Sequence, residues 1–450
     1  MIKTTLWSLS FSQYIHLSLR DSTDSINYQD TLAYSKYDQE SANNQFDISI
    51  KPNSSAGLTQ DTSNITLGLS GSQANIYGGE VYSSISSTKT NSDLSKNDYS
   101  SQTTIGYRQA LFKRWGEKYN NYNIYNTTLR YELTKKRNRY INNKIILKAT
   151  EKYYNVILNY NRINIYKESY KRATKDFDKA QAKYSSGMVS AVDMHRAKLN
   201  MLNANKNLQD SKKNYLDLVD ELLYFINQDY DNNIKNNINM DIKKFNLDFD
   251  IKYDYSILNE NILYKEKLIE KEILQEKIFR TKRDFLPDIT LDMNYKINGV
   301  DENINKSFDS ETKQWSMQLF SEYNFNTDDK KIAYNKVMIE QSKLNRDIKE
   351  LERNILKNIK NIENNFNNLK FNLEISSLKV EAAKMTLEAA NIKYSQGLST
   401  NFDTLDASQD LENAKIEYIS NLLSYNLAIL KLADSQNILD YNFLLGLINE

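Results

Sequence analysis

The chain is dominated by stretches in which apolar side chains recur every three or four residues. The pattern is clearest in one run in each half of the chain. The first-half positions are Ala149, Tyr153, Val156, Tyr160 and Ile163, and the second-half positions are Ile348, Leu351, Ile355, Ile359 and Ile362. A 3.5-residue period is typical of a coiled-coil seam. It predicts one helix from about Glu117 to Tyr184, which would extend roughly 100 Å at 1.5 Å per residue.

Shorter regions alternate with a period of two, the pattern of a strand with one apolar and one polar face. After Pro287 the apolar positions are Ile289, Leu291, Met293, Tyr295 and Ile297, followed by Trp315, Met317, Leu319, Tyr323 and Phe325. Weaker counterparts in the first half are Ile65, Leu67, Leu69, Ile105, Tyr107 and Leu111. We therefore predict one strand pair in each half, four strands in all.

Strands of about ten residues with one apolar face fit a transmembrane barrel with a wet interior. An edge hairpin of a soluble sheet is the alternative. Four strands cannot close a barrel, which needs about eight, so the barrel hypothesis predicts that several copies share one wall. The polar stretches at about residues 71–100 and 298–313 are expected to be outward-facing loops.

The chain contains an internal duplication. Residues 183–193 align with residues 393–403 without a gap, at an offset of 210. Such agreement predicts two structural repeats. The first covers residues 1–225, with an N-terminal helix, a strand pair at about 52–112 and a helical hairpin at about 117–225. After a linker at 226–255, the second covers 256–450, with a helix, a strand pair at about 287–326 and a hairpin at about 329–440.

Each hairpin carries a readable turn at its tip. Gly187 and Gly397 can adopt the left-handed conformation that closes a helix. In both halves the glycine is followed by a helix N-cap residue, and an acidic capping partner stands three residues after that. The pairs are Ser190 with Asp193, and Thr400 with Asp403. The sequence therefore predicts two similar helix–turn–helix tips.

The amino-acid composition excludes several kinds of binding site and favours long structural elements. Lys and Arg total 59 against 58 Asp and Glu, which argues against nucleic-acid binding because phosphate contacts require a basic excess. The chain has no cysteine, which excludes disulfides and thiolate metal sites, and only 2 Pro and 11 Gly, which favours long elements. The sequence contains no apolar run of about 18 residues, so it predicts no transmembrane helix. We expect that the signal peptide of an exported precursor has been removed from this sequence.

Catalytic chemistry has no sequence signature here. His16 and His195 are the only histidines, and we interpret His195 as a surface residue. Carboxylates do not cluster as a metal site would require, and neither a phosphate-binding glycine loop nor a nucleophile motif occurs. We expect no enzyme, no cofactor and no metal site.

A family resemblance rests on the tip motif and the strand ends. The motif is present as Tyr394, Gly397, Leu398, Asp403 and Ala407, and again as Tyr184, Gly187, Met188, Asp193 and Ala197. Leu286–Pro287, the residues 109–112 (with Ala110 at the usual proline) and Leu445–Gly446 also fit. On these residues the chain resembles the TolC-type outer-membrane efflux protein family over nearly its whole length.

The resemblance implies a mainly α fold with a β-barrel portion. It implies a homotrimer with a 12-stranded barrel, located in the outer membrane and extending into the periplasm. Its partners would be the lipid bilayer, a periplasmic adaptor and an inner-membrane pump of RND or ABC type. The implied function is the passive channel-tunnel of a tripartite efflux or type I secretion system, for drugs, metal ions or proteins. A soluble periplasmic coiled-coil adaptor or scaffold is the alternative.

The resemblance also assigns roles at the tips. It implies a periplasmic gate at Asp403 and Asp406, for which a solvated helix face is the alternative at Asp406. Asp193 and Tyr394 would make closing contacts, although Ser399 stands where some members have arginine. The tip turn and adaptor-docking positions would be Gly187, Met188, Ser190, Gly397, Leu398 and Thr400. Capping and gating are compatible roles for Asp193 and Asp403.

Overall fold

The computed structural model describes residues 9–92, 98–228, 238–241, 243–247, 249, 256–309, 312–396 and 398–449. Its helices are α1 (Phe11–Asp21), α2 (Thr23–Asn43), α3 (Glu117–Asn120), α4 (Tyr122–Lys136), α5 (Asn138–Ser185), α6 (Ala191–Phe225), α7 (Ser256–Glu260), α8 (Ile262–Arg283), α9 (Ile304–Phe308), α10 (Asp328–Ser395), α11 (Asn401–Ser435) and α12 (Tyr441–Asn449). Its strands are β1 (Ser49–Leu58), β2 (Thr62–Ala74), β3 (Gly79–Ser92), β4 (Asp98–Ala110), β5 (Asp288–Asp301) and β6 (Thr312–Glu322).

The chain forms two compact units, and each draws on both halves of the sequence. The helical unit comprises residues 1–30, 136–262 and 351–450, and the sheet unit comprises residues 31–135 and 263–350. Because the units interleave the halves, they do not follow the boundaries of the predicted repeats. Those repeat boundaries stay a prediction, and much of the predicted linker lies outside the described residues.

The prediction of one continuous helix from Glu117 to Tyr184 is wrong. The chain breaks at Asn121, where ψ is 0°, and at Arg137, where ψ is −13°. Both values depart from the roughly −42° of an α-helix, so the hydrogen-bond ladder is interrupted at each residue. The corresponding helix of the second half, α10, runs for 68 residues without interruption.

The duplication is visible in the backbone of the helical unit. Helices α6 and α11 each contain 35 residues and start at the offset of 210 found in the sequence. Each is followed by an asparagine with a positive φ, 51° at Asn227 and 55° at Asn437. Asparagine tolerates this left-handed conformation at the end of a helix. The two hairpins therefore share their second helix and its termination.

The core of the helical unit lies where α1, α5, α6, α11 and α12 meet. The heptad positions Ala149, Tyr153 and Val156 are fully buried there, as the seam pattern predicted. The Tyr153 hydroxyl donates to the backbone oxygens of Leu9 and Asn239, so the buried phenol keeps a partner. None of the described helices has the length and apolar character that crossing a membrane requires.

The sheet unit contains six strands where the sequence predicted four. They run antiparallel in the order β1–β2–β3–β4–β5–β6, with β4 joined to β5 across the two halves. The second-half pair is confirmed, whereas the first half holds four strands instead of two. Strands β1 and β3 are rich in serine and have few large apolar residues, so their alternation is too weak to mark them. Part of the predicted loop at 71–100 is therefore strand.

Candidate functional site

One face of the sheet is apolar across all six strands. The pairing register places these side chains on the same face, and each is exposed: Ile50, Leu58, Ile65, Leu67, Leu69, Val81, Ile85, Ile105, Met293, Tyr295, Trp315, Met317 and Leu319. Polar residues such as Ser83, Lys89 and Lys313 lie among them on this face. Soluble proteins rarely leave so many large apolar side chains exposed on one face of a sheet. Strands of 10 to 14 residues have the length that spans a bilayer core. The exposed apolar side chains and the strand lengths are those expected of a surface that faces lipid.

The opposite face of the sheet is polar and carries a buried carboxylate. Asp292 accepts hydrogen bonds from the Tyr82 hydroxyl at 2.8 Å and from Arg108 Nε at 3.1 Å. Arg108 also forms an ion pair with Glu80 at 3.5 Å and lies over the Tyr82 ring. This network links three neighbouring strands on the side away from lipid. The alternation placed Asp292 on this face, but its partners come from strands 180 or more residues earlier, which the sequence did not pair.

The first helical tip is a capped turn. Gly187 has a φ of +70°, and the next amide, of Met188, donates to the carbonyl of Lys183 at 2.8 Å. The Ser190 hydroxyl caps α6 by accepting from the amide of Asp193 at 3.2 Å and donates to the Asp193 carboxylate at 2.7 Å. The turn and N-cap therefore have the predicted local geometry.

The second tip repeats the turn with a different set of cap hydrogen bonds. The amide of Leu398 donates to the carbonyl of Lys393 at 2.8 Å. The Asp403 carboxylate accepts from both the amide of Thr400, at 2.8 Å, and its hydroxyl, at 3.0 Å. Asp403 thus fills the acidic place of a capping box, as predicted. Gly397, the predicted turn residue, lies outside the described residues.

The predicted gate and closing residues occupy different environments. Asp403 is engaged in its cap, whereas Asp406 is an exposed carboxylate one turn further along α11. The repeat position of Asp406 is Arg196, so only the second tip carries this acid. Tyr394 lies beneath Lys183 of the first tip, with Nζ 4.5 Å from the ring centroid, while Asp193 pairs with Ser190. Within one chain Asp193 and Tyr394 have separate partners, and their joint closing role stays a prediction.

A buried ion pair joins α5 to α11, and the sequence analysis missed it. Arg172 donates to the Glu412 carboxylate at 3.1 Å and to the Ser408 hydroxyl at 3.3 Å. Glu412 is only 4% exposed. The internal repeat could have indicated this pair. At the offset of 210, Glu412 corresponds to Leu202 and Arg172 corresponds to Ala382. A charged pair at positions that are apolar in the other half marks a contact between unlike helices.

Asp176 follows Arg172 by one helical turn. Burial raises the pKa of this carboxyl above its ordinary value, and the nearby charges of Lys179 and Arg172 oppose that rise. Desolvation disfavours the charged carboxylate, which is why burial acts in this direction. In the described part of the chain, no three His, Cys, Asp or Glu side chains assemble in a way that could hold a metal ion.

Part of the chain matches a known protein family, and its fold is similar to that of solved membrane channels. Residues 269–435 match the model of the outer membrane efflux protein family. A search of curated proteins finds no relative with significant similarity. Among solved structures, the CmeC outer membrane channel of Campylobacter jejuni is similar with a TM-score of 0.74 and 14% identity, covering 97% of this chain and 88% of that chain.

Two other channels share the fold. CusC is similar with a TM-score of 0.73 and 12% identity, covering 96% of this chain and 93% of that one. VceC, an outer membrane protein of Vibrio cholerae, gives a TM-score of 0.70 and 13% identity over 95% of each chain. At these identities the similarity establishes the fold.

A sheet with one exposed apolar face, in a chain with long coiled-coil hairpins, is the combination expected of an outer-membrane channel. The family match makes this specific. The match to the outer membrane efflux protein family covers residues 269–435, and the resemblance predicted from the tip motifs is confirmed. The family match and the solved channels together support an outer-membrane efflux channel.

Proposed function

We propose that the protein is the outer-membrane component of a tripartite efflux or type I secretion system and acts as a homotrimer. The observation that carries this proposal is the apolar band, which has exposed large apolar side chains on all six strands, too few strands for a single copy to close into a barrel. The tunnel would provide passive passage. Energy would come from an inner-membrane pump of RND or ABC type, reached through a periplasmic adaptor.

The helical tips offer the surface for that adaptor. Four large apolar side chains at the two tips are more than half exposed: Met188, Val192, Leu398 and Phe402. Met188 and Leu398 each donate a backbone hydrogen bond to the carbonyl of a lysine at the end of the preceding helix. Exposed apolar groups on a preformed turn are suited to protein docking.

The second tip carries the proposed gate. In a trimer, three copies of Asp406 would form a ring of carboxylates around the entrance, and such rings attract cations into a constriction. Asp403 would contribute to the same ring while holding its cap. The exposed position of Asp406, one turn beyond Asp403, supports this assignment.

Single-channel recording in planar bilayers tests the proposal. Asp406→Asn should weaken block by divalent cations and alter conductance, because it removes the Asp406 charge from the ring without disturbing the Asp403 cap. Asp403→Ala combined with Asp406→Ala should have a larger effect. Asp210→Ala, which removes an exposed carboxylate of α6 far from the tip, is the matched control. Unchanged cation block in both tip variants would refute the gate.

The channel itself is tested separately from the gate. We expect the purified protein to need detergent and to form conducting trimers. A protein that is monomeric and fully soluble without detergent would contradict the channel and favour the adaptor or scaffold alternative.

A further inference from the structure

The connection between β5 and β6 turns back onto the apolar face of the sheet. Its short helix α9 places Ser307 against Ser101 of β4, with 2.5 Å between the two hydroxyl oxygens, and Ser101 donates to the Ser87 hydroxyl of β3 at 2.9 Å. The three serines are 1%, 2% and 9% exposed, respectively. By the pairing register, Ser87 and Ser101 project to the same side as Ile85 and Ile105. Helix α9 therefore covers part of the apolar face and lies off the polar one.

Helix α9 is seated just beyond the apolar stretch of the strands. On β5 the apolar side chains of this face run from Ile289 to Ile297, and the next position is the buried Gly299, which pairs with Ser101. Because glycine has no side chain, it leaves room for another backbone segment to approach closely. The seat therefore marks the level at which the apolar stretch ends.

Lysine and tyrosine side chains mark the same boundary on the neighbouring strands. Lys313 of β6 pairs with Ile297, and Lys89 is the next residue after Ser87 on this face of β3. The Lys89 ammonium lies 5.7 Å from the centroid of the Tyr99 ring. Lysine and tyrosine suit the level at which hydrocarbon gives way to lipid headgroups, because each combines an apolar body with a polar tip.

Helix α9 itself has an apolar and a charged flank. Ile304 and Phe308 are four residues apart, so they lie on one flank, where they are 43% and 39% exposed. Lys306 is two residues from each, which at about 100° per residue places it on the opposite flank, and it is exposed. Ser307 faces the sheet between the two flanks. This division is the one that a helix lying in a membrane interface requires.

Local hydrogen bonds hold the turn that leads into α9. The amide of Asn303 donates to the Asp301 carboxylate at 2.8 Å, and the amide of Asn305 donates to the Asn303 side-chain oxygen at 2.9 Å. The amide of Ser307 donates to the Asn303 carbonyl at 3.0 Å. Contacts within the chain therefore place α9 on its seat.

The seat lies at the end of the sheet that is remote from the long helices. Helix α8 precedes β5 at Asp288 and α3 follows β4 after Ala110, whereas α9 follows the other end of β5, at Asp301. In an outer-membrane channel whose helices extend into the periplasm, this other end lies at the outer leaflet.

We propose that α9 is an interfacial anchor of the channel, seated at the boundary between the hydrocarbon and the lipid headgroups of the outer leaflet. The flank with Ile304 and Phe308 enters the hydrocarbon, and Lys306 reaches the headgroups. An interfacial helix buries its apolar side about 5–10 Å into this boundary. Lipid is the occupant because α9 continues the apolar face exactly where lysine and tyrosine replace apolar residues. The β5–β6 connection then grips the membrane outside the channel instead of covering its mouth.

This inference rests on the proposed function, because it takes the sheet to be embedded in a membrane. Spin labels test it, since the chain has no native cysteine at which a label would attach. Phe308→Cys and Lys306→Cys report on the two flanks of α9. Leu319→Cys on the apolar face and Gln314→Cys on the polar face of β6 are the reference positions. Each labelled protein is reconstituted into phosphatidylcholine vesicles.

Collision with dissolved oxygen, which concentrates in hydrocarbon, is compared with collision with a water-soluble nickel chelate. The ratio of oxygen to nickel accessibility should be high at position 319, intermediate at 308 and low at 306 and 314. A label at 308 as accessible to nickel as the label at 306 would overturn the anchor. A label at 308 that neither reagent reaches would also overturn it, because another copy of the chain would then cover α9.

The reference position separates this inference from the proposed function. If position 319 is in lipid and 308 is in water, the anchor alone fails. If position 319 is itself accessible to nickel in vesicles, the sheet is not in the bilayer, and the proposed function fails together with the anchor.

A second variant tests the serine seat. Ser101→Leu would fill the space beside the Ser307 hydroxyl, so it should displace α9 and lower the oxygen-to-nickel ratio at position 308 while position 319 stays unchanged. Ser83→Leu, at an exposed position of the same face, is the matched control and should leave the ratio at 308 as it was. An unchanged ratio at 308 in Ser101→Leu would contradict the seat.

Discussion

At the residue scale, the Arg172–Glu412 pair is the most consequential contact inside the helical unit. The Glu412 side chain is 5% exposed and the Arg172 side chain 31%, so the carboxylate depends on this guanidinium for its compensating charge. Removing one partner of a buried pair costs more than replacing both, because it leaves an uncompensated charge. The contact between α5 and α11 is therefore sensitive to the loss of either partner alone.

We expect Arg172→Met to destabilise the fold by about 3 kcal/mol, the lower end for a broken buried pair because Arg172 is partly exposed. Adding Glu412→Leu should recover most of that loss. Urea unfolding in detergent measures the free energy of unfolding of the single and the double variant. Equal stability of the single variant and the parent protein would show that Glu412 finds other compensation.

Asp176 predicts a dependence on pH. Its pKa is raised in the folded protein, so the folded state holds the proton more tightly than the unfolded chain does. The resulting stabilisation is fully present below the ordinary carboxyl pKa of 3.8 and is lost as pH rises through the higher folded value. At neutral pH the ionised side chain therefore opposes folding.

Asp176→Asn should raise the thermal midpoint at pH 7, and the difference from the parent protein should shrink as the pH approaches 4. Melting curves across this range provide the measurement. Asp178→Asn, at an exposed position of the same helix, is the control and should change little. A gain that stays constant with pH would rule out the charge as its cause.

At the element scale, the two faces of the sheet should respond differently to the same substitution. Leu67 lies on the apolar band and Thr66, its neighbour in β2, on the polar face. Arginine on the lipid face of a barrel costs roughly 2–4 kcal/mol near the bilayer midplane, whereas lumen positions tolerate charge.

Leu67→Arg should therefore lower the stability of the protein folded into lipid vesicles by that amount, and Thr66→Arg should have a small effect. Urea titration monitored by tryptophan fluorescence distinguishes them. Similar losses for the two variants would mean that the face assigned to lipid is wrong.

The elements also differ in how far the sequence revealed them. The heptads marked the long helices because apolar residues repeat over many turns, and Pro287 followed by five alternating apolar residues marked β5. Strand β1 has only Ile50 and Leu58 as large apolar residues, together with Pro52, so no local pattern distinguishes it from a loop. Its strand character depends on pairing with β2, which is a tertiary property. The breaks at Asn121 and Arg137 likewise lack proline or glycine as a signal.

At the scale of the whole molecule, the tip motifs were sufficient to predict the family. The turn and cap geometry followed from Gly187, Ser190 and Thr400 because these residues act through local backbone contacts. The Asp292 network and the Arg172–Glu412 pair were not predictable in the same way, since each joins residues about 180 to 240 positions apart. Contacts of that kind depend on the assembled fold.

The junction of β4 with β5 also sets an order of events during assembly. Strands β1 to β4 are consecutive in the chain and can form a meander through short turns, but β5 joins only after about 180 further residues, as the pair Ala110 and Thr290 shows. Closing a loop of that length costs about 3 kcal/mol more entropy than closing a five-residue turn. While the intervening helices are still being delivered, β4 presents an open edge with an apolar face. We therefore expect the nascent chain to be prone to aggregation through this edge until the last two strands arrive.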